Sequence, residues 1–281
     1  MRCVFVSDLH GKPDRYKKLF AIALKEEPDA VFFGGDLLPN HLTVMNNMEE
    51  FIQKTLFSSM KKIKQKLGKP IRFFLILGND DPRVYESLFE TAHQNAILEY
   101  IHNKTCGFDT FFVVGYSFIP PTPFQLKDWE KYDVSRYVDV GAVSPEVGMR
   151  SVPVPLDDIR ESTIVHDLDV LSKKVPVEKT IFLFHSPPYK SFLDRVDMDG
   201  IKIDHAPVDI HVGSVAIQRF ITEKQPLLTL HGHVHESVRL TGQWKQKSGK
   251  SYMFSAAHDG PELAVVRFDT KKLENATREL V

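Results

Sequence analysis

The chain is poor in several features that would set its class at once. Its 281 residues contain two cysteines, Cys3 and Cys106. Two thiols make no disulfide framework, and they read as small buried hydrophobes of a reducing compartment. Neither sign of charge is in excess: 36 Lys and Arg stand against 37 Asp and Glu, a formal net charge of −1. That balance argues against a protein that grips a long polyanion, so long nucleic acid is not the expected partner. Long apolar runs are also missing. Residues 73–77 and 111–114 have only strand length, far below the ~20 residues of a membrane-spanning helix. Near the N-terminus only residues 3–6 are apolar before Ser7 and Asp8 interrupt, too short for a signal-peptide core. A soluble, cytoplasmic protein is expected. No repeat, low-complexity tract or linker divides the chain, so one domain is expected over residues 1–281.

What is present is an alternation of strand and helix. Residues 2–6, 30–33 and 71–77 read as buried strands. Tyr16, Leu19, Phe20 and Ala23 recur at helical spacing after Pro13, and a second stripe predicts a long helix over about 44–67. Asp81 and Pro82 suit the N-cap and first position of another helix. Such alternation implies a sheet with crossover helices and ligands at the carboxyl ends of its strands. From about residue 97 the texture changes. Residues 97–101 and 111–116 predict strands of an antiparallel region, and about 119–155 forms a loop-rich insert with scattered aromatics. Such an insert is either a functional lid or an excursion over a sheet edge. Residues 156–173 and 212–222 predict helices. Residues 180–184, 227–230, 252–257 and 263–268 predict strands. Ser214 suits an N-cap.

Five polar blocks each follow an apolar run: Asp8-Leu9-His10, Gly35-Asp36, Gly78-Asn79-Asp80-Asp81, His185, and Gly232-His233-Val234-His235. Residues i and i+2 of an extended segment point the same way, so Asp8 with His10, and His233 with His235, are expected to close on a cation. Asp8, His10, Asp36, Asn79, His185, His233 and His235 form a mixed N/O donor set. It suits Mn, Fe, Zn or Ni rather than Ca or Mg alone. Seven ligands are too many for one tetrahedral ion and suit two divalent ions sharing a carboxylate.

The ordered blocks resemble the dispersed signature of the calcineurin-like metallophosphoesterases, D-x-H, GD, GN, His and G-H-x-H, over most of the chain. The resemblance implies an α/β fold with mixed sheets, a four-layer α-β-β-α sandwich. It places one metal on Asp8, His10, Asp36 and His235 and the other on Asp36, Asn79, His185 and His233. Asp36 then bridges, and a hydroxide between the metals attacks phosphorus. The chain departs from the family at one position: the usual histidine after Asn79 is Asp80. A carboxyl group beside two dications is a poor acid, so Asp80 is expected to orient a water or an imidazole, or to position Asn79. Protonation of the leaving group then falls to water or another histidine. Besides Asn79, His231 is a candidate for phosphate contact, since alternation puts it on the face of His233. His205 and His211 fall in a loop-like stretch without pattern, and His93, His102, His166 and His258 read as ordinary.

The expected activity is hydrolysis of a phosphodiester or nucleotide-type small substrate. Alternatives are a nuclease, a non-catalytic metal-binding scaffold of the same fold, and an enzyme on a lipid-linked substrate whose insert around Phe124 and Trp129 faces the membrane.

Overall fold

Alternation along the strands sorts their apolar side chains into two sets. In the computed structural model, which describes residues 1–39 and 47–281, Phe5, Phe32, Phe74, Val113, Ile181 and Leu183 share one buried cluster. Their neighbours Val4, Phe33, Phe73, Val114, Phe182 and Phe184 belong to another. Successive strand residues face opposite sides, so these strands are covered on both faces. The first set fills the space between two six-stranded sheets. The second lies under helices, which contribute Leu19, Met60, Phe89, Leu168 and Phe220. This is the expected four-layer α-β-β-α sandwich.

One sheet contains β1 (Arg2–Val6), β2 (Ala30–Gly34), β3 (Arg72–Ile76), β4 (Glu99–Tyr100), β13 (Ala264–Asp269) and β14 (Lys272–Leu280). Its order is β14-β13-β1-β2-β3-β4, with β1 to β4 parallel and β13 and β14 antiparallel at one side. The other contains β5 (Thr105–Phe108), β6 (Phe111–Tyr116), β7 (Thr180–Phe184), β10 (Leu228–His231), β11 (Lys245–Ser248) and β12 (Ser251–Ser255), in the order β11-β12-β10-β7-β6-β5. A small hairpin joins β8 (Lys202–Ile203) to β9 (Ala206–Pro207). Strands β1, β2, β3, β7 and β10 deliver all five polar blocks from their carboxyl ends.

Several expectations need correction. The antiparallel region expected after residue 97 is the pair β5–β6, and residues 97–101 are not part of it. Those residues supply β4, parallel to β3, while β6 turns back on β5 in the other sheet. The helix expected over 156–173 is two, Leu156–Glu161 and Ile164–Ser172, because Thr163 leaves the helical conformation and its side chain caps the second. The helix expected over 44–67 begins within the described residues at Met48, passes through a π turn at Ile52–Phe57 and ends at Lys66; its expected start at 44–46 lies outside them. Asp81 caps no helix. It is fully buried and accepts the N–H groups of Leu37, Leu38 and Gly78, pinning the loop after β2 to the loop after β3.

The 119–155 insert lacks regular helix or strand, as expected, yet it is packed. Trp129 is fully buried and its indole N–H donates to Asp81 O at 2.7 Å. Lys127 and Glu130 form a pair 2.6 Å apart with no exposed side-chain surface. Trp129 therefore does not face a lipid surface.

Candidate metal centre

The ligand blocks do not continue their strands. Asp8, His10, Asp36 and His233 all have left-handed backbone, with φ of 55°, 46°, 52° and 70°. The expected i, i+2 alternation is thus the wrong reason for a correct convergence: a tight turn, not an extended segment, brings Asp8 beside His10. Each such residue costs about 1–3 kcal/mol of backbone strain and persists only where its surroundings enforce it. Here the loops after β1 and β2 enforce it on each other. Asp8 N–H donates to Gly35 O at 3.0 Å, His10 N–H to Asp36 O at 2.8 Å and Gly11 N–H to Leu37 O at 2.9 Å. Buried Arg15 donates to Asp8 O at 2.5 Å and to Gly260 O at 2.6 Å.

Glycine in the motifs has a steric meaning. A Cβ on Gly78 would lie 2.3 Å from Asp36 Oδ1, and one on Gly232 would lie 2.8 Å from Asp8 Oδ2. The backbone passes too close to each carboxylate for any side chain.

Donor atoms of Asp8, His10, Asp36 and His235 lie within 4.8 Å of one another, as do those of Asp36, His185 and His233. His10 Nε2 and His235 Nε2 are 3.1 Å apart, and His235 Nε2 is 3.4 Å from Asp8 Oδ1. His185 Nε2 is 2.9 Å from Asn79 Oδ1 and 3.3 Å from Asp36 Oδ2. Asn79 Nδ2 donates to Asp80 Oδ1 at 3.0 Å, which turns the amide oxygen inward. All seven expected residues are therefore brought together, with Asp36 shared between the two groups.

These residues fit a pair of cations. His185 Nδ1–H donates to Gly34 O at 2.7 Å, the outer hydrogen bond that commonly fixes a metal-binding imidazole. Its Nε2 then faces two oxygens that cannot donate, and it needs either a proton or a cation. Two imidazole nitrogens meet at His10 and His235. Asp8 Oδ2 is buried without a partner, which is costly unless something positive stands beside it.

Electrostatics agree. Although burial opposes ionisation, hydrogen bonding and charge from His235 hold Asp8 at about 2. Asp36, opposed likewise by burial, is held well below the usual carboxylate range by His185. Burial drives His233 down to about 3, aided by His185. Burial would discharge His185 as well, but the charge on Asp36 outweighs it and raises that imidazole to about 10. Ionised carboxylates and neutral imidazoles are the forms that bind metals, so a cation would have to displace the His185 proton.

Two further expectations resolve differently. Asp80 stands at the rim, with Oδ2 3.5 Å from His10 Nδ1. The charge on Asp36, then burial, pushes it up to about 7; cations at the ligands would act in the opposite sense. His231 does not reach the centre. It is fully buried, with Nδ1 2.9 Å from Ser186 O and Nε2 2.7 Å from Thr229 Oγ1. Both ring nitrogens are engaged inside the second sheet, so the expected phosphate contact is corrected to a structural role. Sequence reasoning missed Arg15 and Asp81 as clamps on the ligand loops, since nothing in their local pattern marks that role.

The centre opens into a cavity of about 550 Å³ whose lining includes Asp36, Asn79, Asp80, His233 and His235. Pro120 to Phe124 and Asp139 to Ala142 of the insert also line it.

A model of the calcineurin-like phosphoesterase family matches residues 1–237, and the chain belongs to that family. No curated protein matches it by sequence. Solved structures share the fold at low identity. One superimposes with a TM-score of 0.62 at 16% identity, covering 99% of this chain and 98% of the other. The protein TT1561 of Thermus thermophilus gives 0.59 at 15%, covering 99% and 98%. A dimetal phosphatase from Danio rerio gives 0.58 at 10%, covering 100% and 95%. Among the described residues no helix is long and apolar enough to cross a membrane.

Proposed function

We propose that the protein hydrolyses small-molecule phosphodiesters or nucleotide-type phosphate esters at a two-metal centre. The observation that carries this reading is the convergence of seven N/O donors from five strand ends at the mouth of one cavity. Asp8, His10, Asp36 and His235 would hold one divalent ion, and Asp36, Asn79, His185 and His233 the other, with Mn, Fe, Zn or Ni as the candidates. When bound, such a pair supplies water acidified towards neutral pH and positive charge for the phosphoryl oxygens.

The chain's own groups prepare that chemistry. Asp8 and Asp36 stay ionised, Gly34 O orients His185, and Asp80 orients Asn79. Asp81 holds the N–H of Leu37, next to Asp36, while Asp80 N–H donates to Asp36 Oδ1. The shared carboxylate is thus fixed through its backbone and its side chain. The cavity receives the organic part of the ester. A complete donor set favours an enzyme over a scaffold, and a walled cavity with near-zero net charge favours small substrates over nucleic acid.

The test is turnover of bis(4-nitrophenyl) phosphate and 4-nitrophenyl phosphate by Mn-, Zn- and Ni-loaded protein, with Asp36→Asn as the blank. The reading expects chelator-sensitive turnover that the blank lacks. Two bound metal equivalents with no turnover under any metal would establish the scaffold instead.

A further inference from the structure

The cavity beside the donor cluster is unlike one built for a polyanion. Its lining includes Pro121, Phe124, Val140, Met198, Ile203 and Val208. Besides Asp36 and Asp80 its acidic lining residues are Asp139, Asp209 and Glu236, and no lysine or arginine is among its described lining residues. Residues 40–46, Asn-His-Leu-Thr-Val-Met-Asn, contain neither. Burial, and then the charge on Asp209, raises the Asp139 pKa, so Asp139 feels the negative charge of Asp209.

We infer that the substrate is an ester of a single phosphate whose organic arm is apolar and carries no second negative charge. This rests on the phosphoesterase reading above. An apolar arm gains burial against these side chains. A second phosphate or carboxylate would enter beside Asp139 and Asp209 with no lysine or arginine to pair it, while His211 is already paired with the buried Asp194.

Two symmetric diesters test it, because either arm must then enter the cavity: bis(4-nitrophenyl) phosphate and bis(4-carboxyphenyl) phosphate, with Mn-loaded protein. The KM of the carboxylated ester is expected to be about tenfold higher, the scale of one unpaired like charge, and Asp139→Lys should narrow the gap. Equal KM values, or a lower one for the carboxylated ester, overturn the inference while leaving the hydrolase reading intact. No turnover of either ester with Mn-, Zn- or Ni-loaded protein overturns the hydrolase reading, and the inference with it.

A different observation in the same wall carries a second proposal. His211 lines the cavity, and its Nδ1 lies 2.8 Å from Oδ1 of Asp194. Asp194 is fully buried and also accepts the N–H groups of Lys190, Ser191 and Gly213. A buried, pinned carboxylate holds the ring with Nδ1–H towards itself and leaves Nε2 for other contacts. Around the ring stand Asp209, which accepts His211 N–H at 2.9 Å, Tyr189, whose ring centre is 6.2 Å away, and Arg195, which bridges to it through the backbone.

We propose that His211 replaces the histidine the family usually carries after Asn79. As the oxygen of water bonds to phosphorus and the P–O bond to the leaving group breaks, the departing oxygen takes the Nε2 proton of the doubly protonated His211; the neutral ring keeps Nδ1–H on Asp194 and regains its Nε2 proton from water.

The test is a series of diesters with leaving groups from 4-nitrophenol to simple alcohols, run on His211→Asn and His211→Gln. The loss should be about 30-fold or more larger for the alkyl ester than for the nitrophenyl ester, within the usual worth of a general acid. Retained circular dichroism and metal content would exclude misfolding as its cause. An equal loss on all esters, or none on the alkyl ester in folded protein, overturns the proposal.

Discussion

At the scale of single residues, the centre is a set of strained turns locked by hydrogen bonds that no motif contains. Asp36 lies at the junction of both donor groups, accepts Asp80 N–H at 2.8 Å and faces His185. Asp36→Asn removes the shared charge; if Asp36 bridges two metals as proposed, turnover should fall by about 100-fold or more, with metal content reduced in the purified protein. Elemental analysis beside the rate assay checks it. Gly78→Ala should lower metal content while the sheets persist, because the new methyl meets Asp36 Oδ1 and backbone rather than a flexible side chain. Away from the site, burial, then nearby cationic charge, holds His102 well below its ordinary 6.5, and its Nδ1 accepts Ser117 N–H at 3.1 Å. The unfolded chain therefore binds the extra proton first. This contribution is intact above pH 6.5 and is lost as pH falls below it, at about 1.4 kcal/mol per unit until the folded pKa is reached. Urea denaturation between about pH 7 and 5 should show a shallower pH slope for His102→Asn than for the unsubstituted protein.

At the scale of elements, the strands that reach the site were legible because each is a short apolar run followed by a break. The motifs mark where β1, β2, β3, β7 and β10 end. Less was legible where local pattern and tertiary pairing part company. β14 (Lys272–Leu280) carries charged residues on its exposed side and hides only Leu273 and Ala276 well, so its sequence looks like a tail. β11 lies at a sheet edge and reads as polar loop for the same reason. The Asp194–His211 contact joins two loop residues 17 apart with no periodicity to announce it. The insert conceals its main anchor too: Lys127 and Glu130 look like surface charges in sequence, yet both are buried. Lys127→Met should destabilise the protein by about 3–5 kcal/mol by leaving Glu130 uncompensated, and the double Lys127→Met, Glu130→Met variant should recover much of that. Equilibrium denaturation of the three proteins measures both effects.

At the scale of the whole molecule, two sheets packed face to face place the ends of parallel strands from each along one edge. Neither sheet holds a complete donor set: Asp8, His10, Asp36 and Asn79 follow strands of one, and His185, His233 and His235 follow strands of the other. Bound cations would therefore tie the sheets together, and ligands that bind only the folded state stabilise it by mass action. The direct measurement is anomalous diffraction from crystals of the Mn-loaded protein. Two peaks are predicted, one among Asp8, His10, Asp36 and His235 and the other among Asp36, Asn79, His185 and His233. A single peak, or metal bound only elsewhere, would contradict the two-metal centre.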